Sequence, residues 1–224
     1  PMAASAQVIS LYAQSIPGLF QIDKQGAYDQ VIQLVTPKTD QLVLRTLPNS
    51  RATKAFLNCQ SCCYSPSNLN PNFYSFGADV SMTSPINTAK AYIFSRKGDV
   101  LYSNLSQLTN KTVGIERGMN YGKNVEDASF IPSITNSLLQ NFKMLKVKRV
   151  DAMIAYEPDI YQAFKHLDAE QFHYNKNKAI TIHQDALVCR GVNSEFIKGF
   201  NQNLEDLRKT GQLKALLGEL YVDP

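Results

Sequence analysis

Two hydrophobic periods take turns along this chain, and the switching between them predicts an α/β order. Residues 7–12 form a strand-like run of Val, Ile, Leu and Tyr that Ser15, Pro17 and Gly18 stop. Over residues 26–35, Tyr28, Val31, Ile32, Leu34 and Val35 fall at helical spacing, and Pro37 ends the segment. Residues 41–46 alternate as a second strand. A helix carrying Ala52, Ala55, Phe56 and Leu57 follows, with Asn49 or Ser50 as its cap, because a side-chain oxygen there satisfies an unpaired N–H. A third strand covers Cys62 to Tyr64, and residues 65–77, SPSNLNPNFYSFG, read as loop. Strand, helix, strand, helix in that order implies parallel pairing, since parallel strands need a crossover.

The alternation resumes further on. An extended apolar run over 91–95 leads through a charged turn to the helix-start phrase Ser106-Gln107-Leu108 and a strand at 111–115. A helix after Tyr121 comes next, then a helix over 133–142 with Ile134, Leu138, Leu139 and Phe142 on one face. A strand at 152–156, a helix at 159–166 and a strand at 179–183 complete the set. Near the end, Phe196, Ile197, Phe200, Leu204 and Leu207 form a helical stripe that Gly211 ends, and Leu213, Leu216, Leu217 and Leu220 form the last one. No tandem repeat appears.

Length and composition change the picture little. With 224 residues and 44% apolar content the chain builds a core without help from metals or many disulfides, as one large domain or two small lobes. No apolar run approaches the ~20 residues that cross a bilayer, so no membrane insertion is expected. The formal charge of +4 is thinly spread and densest at Lys143, Lys146, Lys148 and Arg149, which reads as a solvated helix face. A nucleic-acid reader would interleave aromatics with such a cluster, so no nucleic-acid partner is expected. Residues 1–6, PMAASA, lack the basic region and apolar stretch of an export signal and read as a mature end rather than a signal peptide, so a removed export signal would leave no trace here.

Cysteine usage changes it more. Cys59, Cys62 and Cys63 crowd one segment while Cys189 stands alone. An oxidising compartment permits two disulfides, and a reducing one raises metal or redox chemistry. Structural zinc takes four ligands, commonly from two spaced pairs. Here one pair-like group exists, and His166, His173 and His183 sit at no ligand spacing, so neither a metal nor another cofactor is expected. Buried strand thiols, or a local disulfide using Cys59, suit the segment.

Four phrases carry a resemblance: Thr83-Ser84-Pro85-Ile86, Ile93-Phe94-Ser95-Arg96-Lys97-Gly98, residues 105–115 (LSQLTNKTVGI) and Arg117-Gly118-Met119. Their order resembles the crossover between the lobes of bacterial periplasmic solute-binding proteins of the amino-acid-binding type, extracellular solute-binding protein family 3. Arg117-Gly118-Met119-Asn120-Tyr121-Gly122 is similar to a divergent branch of that family, and residues 185–221 are similar to its closing phrase. The resemblance implies an α/β, two-lobed type II periplasmic-binding-protein fold, each lobe a mostly parallel sheet flanked by helices. Residues 1–93 and 187–224 would form lobe 1 and residues 94–186 lobe 2, joined by a two-stranded hinge. It also implies a monomeric, exported periplasmic protein that takes a small-molecule ligand and works with an ABC permease or a membrane sensor.

Candidate ligand contacts follow from the same phrases and from strand ends. Glycines at 118 and 122 let the backbone approach a ligand, and a helix starting there aims free N–H groups at an anion, which brings in Arg117, Gly118, Met119, Asn120 and Tyr121. Family members clamp the ligand carboxylate with an arginine in the first lobe, for which the guanidinium fork is suited. The stretch Asn70-Pro71-Asn72-Phe73 holds none, and Arg51 is the remaining first-lobe cation near a strand end. The family aspartate that receives the ligand ammonium falls on Tyr156, with Glu157 next as its substitute. Tyr12 follows the first strand, Tyr64 and Ser65 end the third, and Thr83 and Ser84 lie in the crossover phrase; ligands gather at such ends in open parallel sheets.

Three function classes emerge. The first is a non-catalytic binder closing two lobes on a small polar or anionic ligand, amino-acid-like or another carboxylate. The second is a sensor or interaction module with a degenerate cleft. The third is a thiol enzyme, for which a cysteine would need a base beside it. No Gly-x-Ser-x-Gly, phosphate-binding loop or His-Glu-x-x-His occurs, and the chain is read as not an enzyme.

Overall fold

A computed structural model describes residues 7–223, so the opening six residues lie outside the described part. The described residues divide into two compact units, residues 7–87 with 184–221 and residues 88–183 with 222–223.

Unit 1 holds β1 (Val8–Gln14), α1 (Ala27–Val35), β2 (Gln41–Leu47), α2 (Asn49–Leu57), β3 (Cys62–Ser67) and β4 (Val80–Met82). Its strand order is β2-β1-β3-β10, and β4 also pairs with β10. β1 runs parallel to β2 and β3, as the intervening helices require, while β10 runs antiparallel to β3 and β4. One face of β1 buries Ile9, Leu11 and Ala13, and Tyr28, Val31, Ile32 and Val35 of α1 are fully buried too. The other face, under α2, gathers Ala52, Phe56, Cys62, Tyr64 and Val188, with Tyr12 packed at its margin.

Unit 2 holds β5 (Asn87–Arg96), which begins at the unit boundary, then β6 (Thr112–Glu116), α3 (Lys123–Glu126), β7 (Ile131–Thr135), α4 (Leu138–Lys146), β8 (Ala152–Glu157), α5 (Ile160–Phe164) and β9 (Phe172–Tyr174). β10 (Thr181–Arg190) starts in this unit and continues into the first, where α6 (Ser194–Lys209) and α7 (Gln212–Leu217) follow. The order in unit 2 is β5-β8-β6-β7, with β9 on β5; β6 is parallel to β7 and β8, and β5 is antiparallel to β8. Both faces are covered. Ala91, Ile93, Val113, Ala152, Ile154 and Tyr156 pack on one side, and Tyr92, Phe94, Phe142, Leu145, Met153 and Ala155 on the other. That explains the unbroken apolar character of β5 and β8, because strands buried on both faces lose alternation.

Several local expectations are corrected. Residues 131–135 are the edge strand β7, not the start of a helix, and α4 begins after Ser137, whose Oγ accepts the Gln140 N–H at 3.2 Å. Ile134 is 55% exposed and belongs to no helical face, and Pro132 is tolerated because an edge strand leaves one side unpaired. No side chain caps α2, whose N-cap is Pro48. Ser65, Pro66 and Ser67 extend β3 and are buried, although small polar residues there read as loop. The 3-10 turn Leu105–Leu108 is capped by Asn104, not Ser106, in a reciprocal arrangement with Gln107.

All four cysteines are paired, as Cys59–Cys62 and Cys63–Cys189. The first ties the end of α2 to β3. The second crosses directly between opposed residues of β3 and β10. The thiol-enzyme reading therefore has no free nucleophile. Next to this staple Gly191 adopts φ +60°, and a Cβ there would lie 2.0 Å from the Gln60 carbonyl oxygen. No helix among the described residues is long and apolar enough to cross a membrane.

Candidate functional site

In unit 2 the site candidates gather where β6 and β8 end. Gly118 at φ +75° and Gly122 at φ +94° turn the chain between β6 and α3, in a region that disfavours side chains. Arg117 N–H donates to the Thr135 carbonyl at 2.8 Å and Met119 N–H to the Glu116 carbonyl at 3.2 Å. Asn120 Oδ1 accepts the Gly122 N–H at 2.9 Å, so the Asn120 side chain shapes its own turn. α3 is a single turn with Val125 and Glu126 N–H groups already donated to the Gly122 carbonyl, so helix-dipole attraction for an anion is weak here.

Beneath the bend, Tyr121 and Tyr156 stack at 5.1 Å between ring centroids, and Tyr156 Oη donates to the Asn120 carbonyl at 2.8 Å. His183 meets Tyr156 edge-on at 6.3 Å. Burial, then the neighbouring Glu116 charge, holds the Tyr121 phenol well above the ordinary tyrosine range. The two rings are therefore a buried wall that supports the bend, with half-buried Met119 and Asn120 in front of it. Arg117 is exposed, and its Nε donates to Asn136 Oδ1 at 3.0 Å.

Glu157 faces the other side of the sheet. It lies opposite Lys90 in register and accepts the Tyr161 hydroxyl, near Tyr92 and Tyr174. Successive strand residues point to opposite faces, so Tyr156 and Glu157 serve different surroundings and the substitution of one for the other is not direct. Burial followed by the Glu157 charge pushes the Tyr174 phenol up to about 12.

In unit 1 most candidates are committed to structure. Tyr64 is buried, stacks on Phe56 at 5.4 Å and shares a 2.8 Å hydrogen bond with Thr53, and burial pushes its phenol up to about 12. Ser65 Oγ donates to the Ala186 carbonyl at 3.0 Å. Thr83 Oγ1 donates to the Ser84 carbonyl and accepts the Leu187 N–H, both at 3.0 Å. Ser84 N–H donates to Asn201 Oδ1 at 2.7 Å. Tyr12 and Tyr64 come together in one cluster; Arg51 stands apart, exposed on the first turn of α2. Phe73 is buried and packs 6.3 Å from Tyr74.

Sequence reasoning missed four polar residues at strand ends. Gln14 ends β1 and donates from Nε2 to the Pro66 carbonyl at 3.1 Å. Ser67 ends β3 with a buried Oγ that has no partner among the described residues, and Asn68 beside it donates to the Gln184 carbonyl at 3.3 Å. Glu116 ends β6, and its carboxylate makes no hydrogen bond to the described residues. Burial alone raises its carboxyl from 4.5 to about 7. Extending the first strand by two residues and the strand at 111–115 by one reaches Gln14 and Glu116, whereas Ser67 and Asn68 lie three and four residues past the third strand as read.

The raised carboxyl sets a pH signature. The folded protein holds a proton on Glu116 that the unfolded chain releases near 4.5, so this residue costs nothing at low pH and progressively destabilises as pH rises from about 4.5 to 7. Glu116→Gln is expected to match the parent at pH 4 and exceed it at pH 8 by about 1–2 kcal/mol, allowing for partial solvent contact. Urea melts at both values check this, and a constant difference across pH would refute it.

No family model matches this chain, and no curated protein matches it. Solved structures do. A mutant ArgBP from T. maritima superposes with a TM-score of 0.72 at 14% identity, covering 95% of this chain and 94% of that one. An ancestral arginine-binding protein bound to arginine gives 0.69 at 16% identity, covering 98% and 100%. The GluR0 ligand-binding core from Nostoc punctiforme, in complex with L-glutamate, gives 0.70 at 14% identity, covering 97% and 99%. The chain has the α/β fold of the two-lobed periplasmic binding proteins over nearly its whole length.

Proposed function

We propose that this protein is an exported, non-catalytic solute-binding protein that takes a small polar ligand of the amino-acid class and serves an ABC permease or a membrane sensor. Whole-length likeness to amino-acid-binding proteins supports the class. The observation that carries it is the β6–α3 bend, a left-handed backbone turn fixed by Asn120 and the Tyr121–Tyr156 wall, with Met119 and Asn120 in front. A preformed frame of this kind orients a ligand at little ordering cost.

Thermal melts against amino acids, small peptides, carboxylates, polyamines and sugars test the reading, because a ligand that binds only the folded state raises the midpoint. At about 100 times its Kd the cognate compound is expected to add about 2.7 kcal/mol. Asn120→Ala, checked for its own unliganded midpoint, is expected to weaken binding at least tenfold. A second reading, a sensor or interaction module with a degenerate site, is favoured by the burial of Phe73 in the stretch where the family resemblance places a carboxylate-clamping arginine. A flat panel would select it.

A further inference from the structure

The opposite end of the unit-2 sheet, away from the bend, carries a second feature. β6 and β8 are parallel and start at this end, while antiparallel β5 finishes there, so the loop after β5 and the loop between α4 and β8 are neighbours. Arg96 fastens them. Its Nη1 donates to the Leu145 and Val150 carbonyls at 2.8 and 2.9 Å, and its Nη2 pairs with Asp99 at 2.5 Å. The last turn of α4 and the loop after it present Lys143, Lys146, Lys148 and Arg149, all exposed and with no acidic partner among the described residues. Acidic groups close by are already engaged: Asp99 by Arg96, Glu170 by Lys97 at 3.4 Å, and Asp151 by the Thr112 N–H at 2.8 Å.

Exposed aliphatic residues sit among these cations. Val147 is 61% exposed, and across the Arg96 fastening Val100 and Leu101 are 60% and 43% exposed. The loop is held in shape. Val147, Lys148 and Arg149 N–H groups donate back to the Lys143, Leu145 and Met144 carbonyls, and Lys148 keeps φ +60°, where a side chain is disfavoured. The tip thus combines exposed aliphatic residues with positive charge that no acidic side chain among the described residues pairs, and it lacks the aromatics that stack on bases.

We propose that this tip docks the protein on an anionic lipid bilayer, with the lysines and Arg149 against headgroup phosphates and Val147, Val100 and Leu101 at the headgroup boundary. Charge complementarity selects an anionic surface, and aliphatic residues between the charges select a lipid one, where both contributions act together. Docking here leaves the β6–α3 bend, at the other end of the same sheet, free to take its ligand.

Co-sedimentation of the full chain with phosphatidylcholine vesicles, with and without phosphatidylglycerol, tests this at an ionic strength of about 20 mM, where surface charge is weakly screened. Binding only to the anionic vesicles is expected, falling with added salt. Lys146→Glu/Lys148→Glu/Arg149→Glu is expected to lower the partition coefficient at least tenfold, and Val147→Ser/Leu101→Ser severalfold, with unchanged melting midpoints. Should the charge-reversed protein fold poorly, the corresponding triple Gln variant gives the same reading without reversed charge. Absence of binding to anionic vesicles, or binding indifferent to the charge variants, overturns the proposal. Binding to a soluble polyanion such as heparin but not to vesicles also overturns it, in favour of an acidic macromolecular partner.

Discussion

Cys63→Ala/Cys189→Ala is expected to lose about 5 kcal/mol of folding stability, against about 2 kcal/mol for Cys59→Ala/Cys62→Ala. The two cross-links differ chiefly in the chain they close, with sequence separations of 126 and 3. A long closed loop removes more conformations from the unfolded ensemble, while three of the four cysteines are buried alike in the folded one. The long cross-link also joins the central strand β3 to β10, which enters unit 1 from the far side of the sequence. Urea melts of the two double variants and the parent measure the difference. Equal losses would mean that lost packing, and not loop closure, dominates. A loss of this size is comparable to the whole stability of many domains. Reduction of the native protein opens both cross-links and is expected to cost at least the larger loss.

Tyr156→Ala is the second large effect. The ring is buried, lies flat against Tyr121 and sends its hydroxyl to the Asn120 carbonyl. Truncation removes the wall and leaves a cavity, for which about 3–5 kcal/mol is the usual loss. Tyr156→Phe keeps the ring and removes only the hydrogen bond, at about 1 kcal/mol. The pair separates fold from function. If the bend holds the ligand, Tyr156→Phe weakens binding more than its small loss of stability predicts, because the Asn120 carbonyl loses the donor that fixes it. Calorimetric titration of the Phe variant with the cognate compound reads this. Unchanged affinity would remove the wall from any role in positioning.

Apart from β4, β7 and β9, the sequence by itself determined the order of strands and helices, the places where glycine turns the chain, and the two-period pattern that requires parallel pairing. These are local properties, and apolar spacing records them directly: α1, β6, β8 and α6 sit within a residue or two of where the pattern puts them. The bend at Gly118 and Gly122 was legible for the same reason, since the left-handed region is nearly a glycine monopoly. Tertiary structure decided the rest. Ser65–Ser67 became a buried strand only because β1 and β10 supply partners on both sides, and 131–135 became an edge strand because β6 offered one. Cys189 found Cys63 across 126 residues, a pairing that no local spacing encodes. Tyr64, Ser65 and Thr83 looked like ligand contacts from their strand ends, yet each has its polar group tied to a neighbouring chain segment. Glu116 looked ordinary and is a half-buried carboxylate that makes no hydrogen bond to the described residues, with burial raising its carboxyl to about 7. Burial and hydrogen-bond partnership depend on residues far apart in sequence, so they are fixed only when distant segments meet.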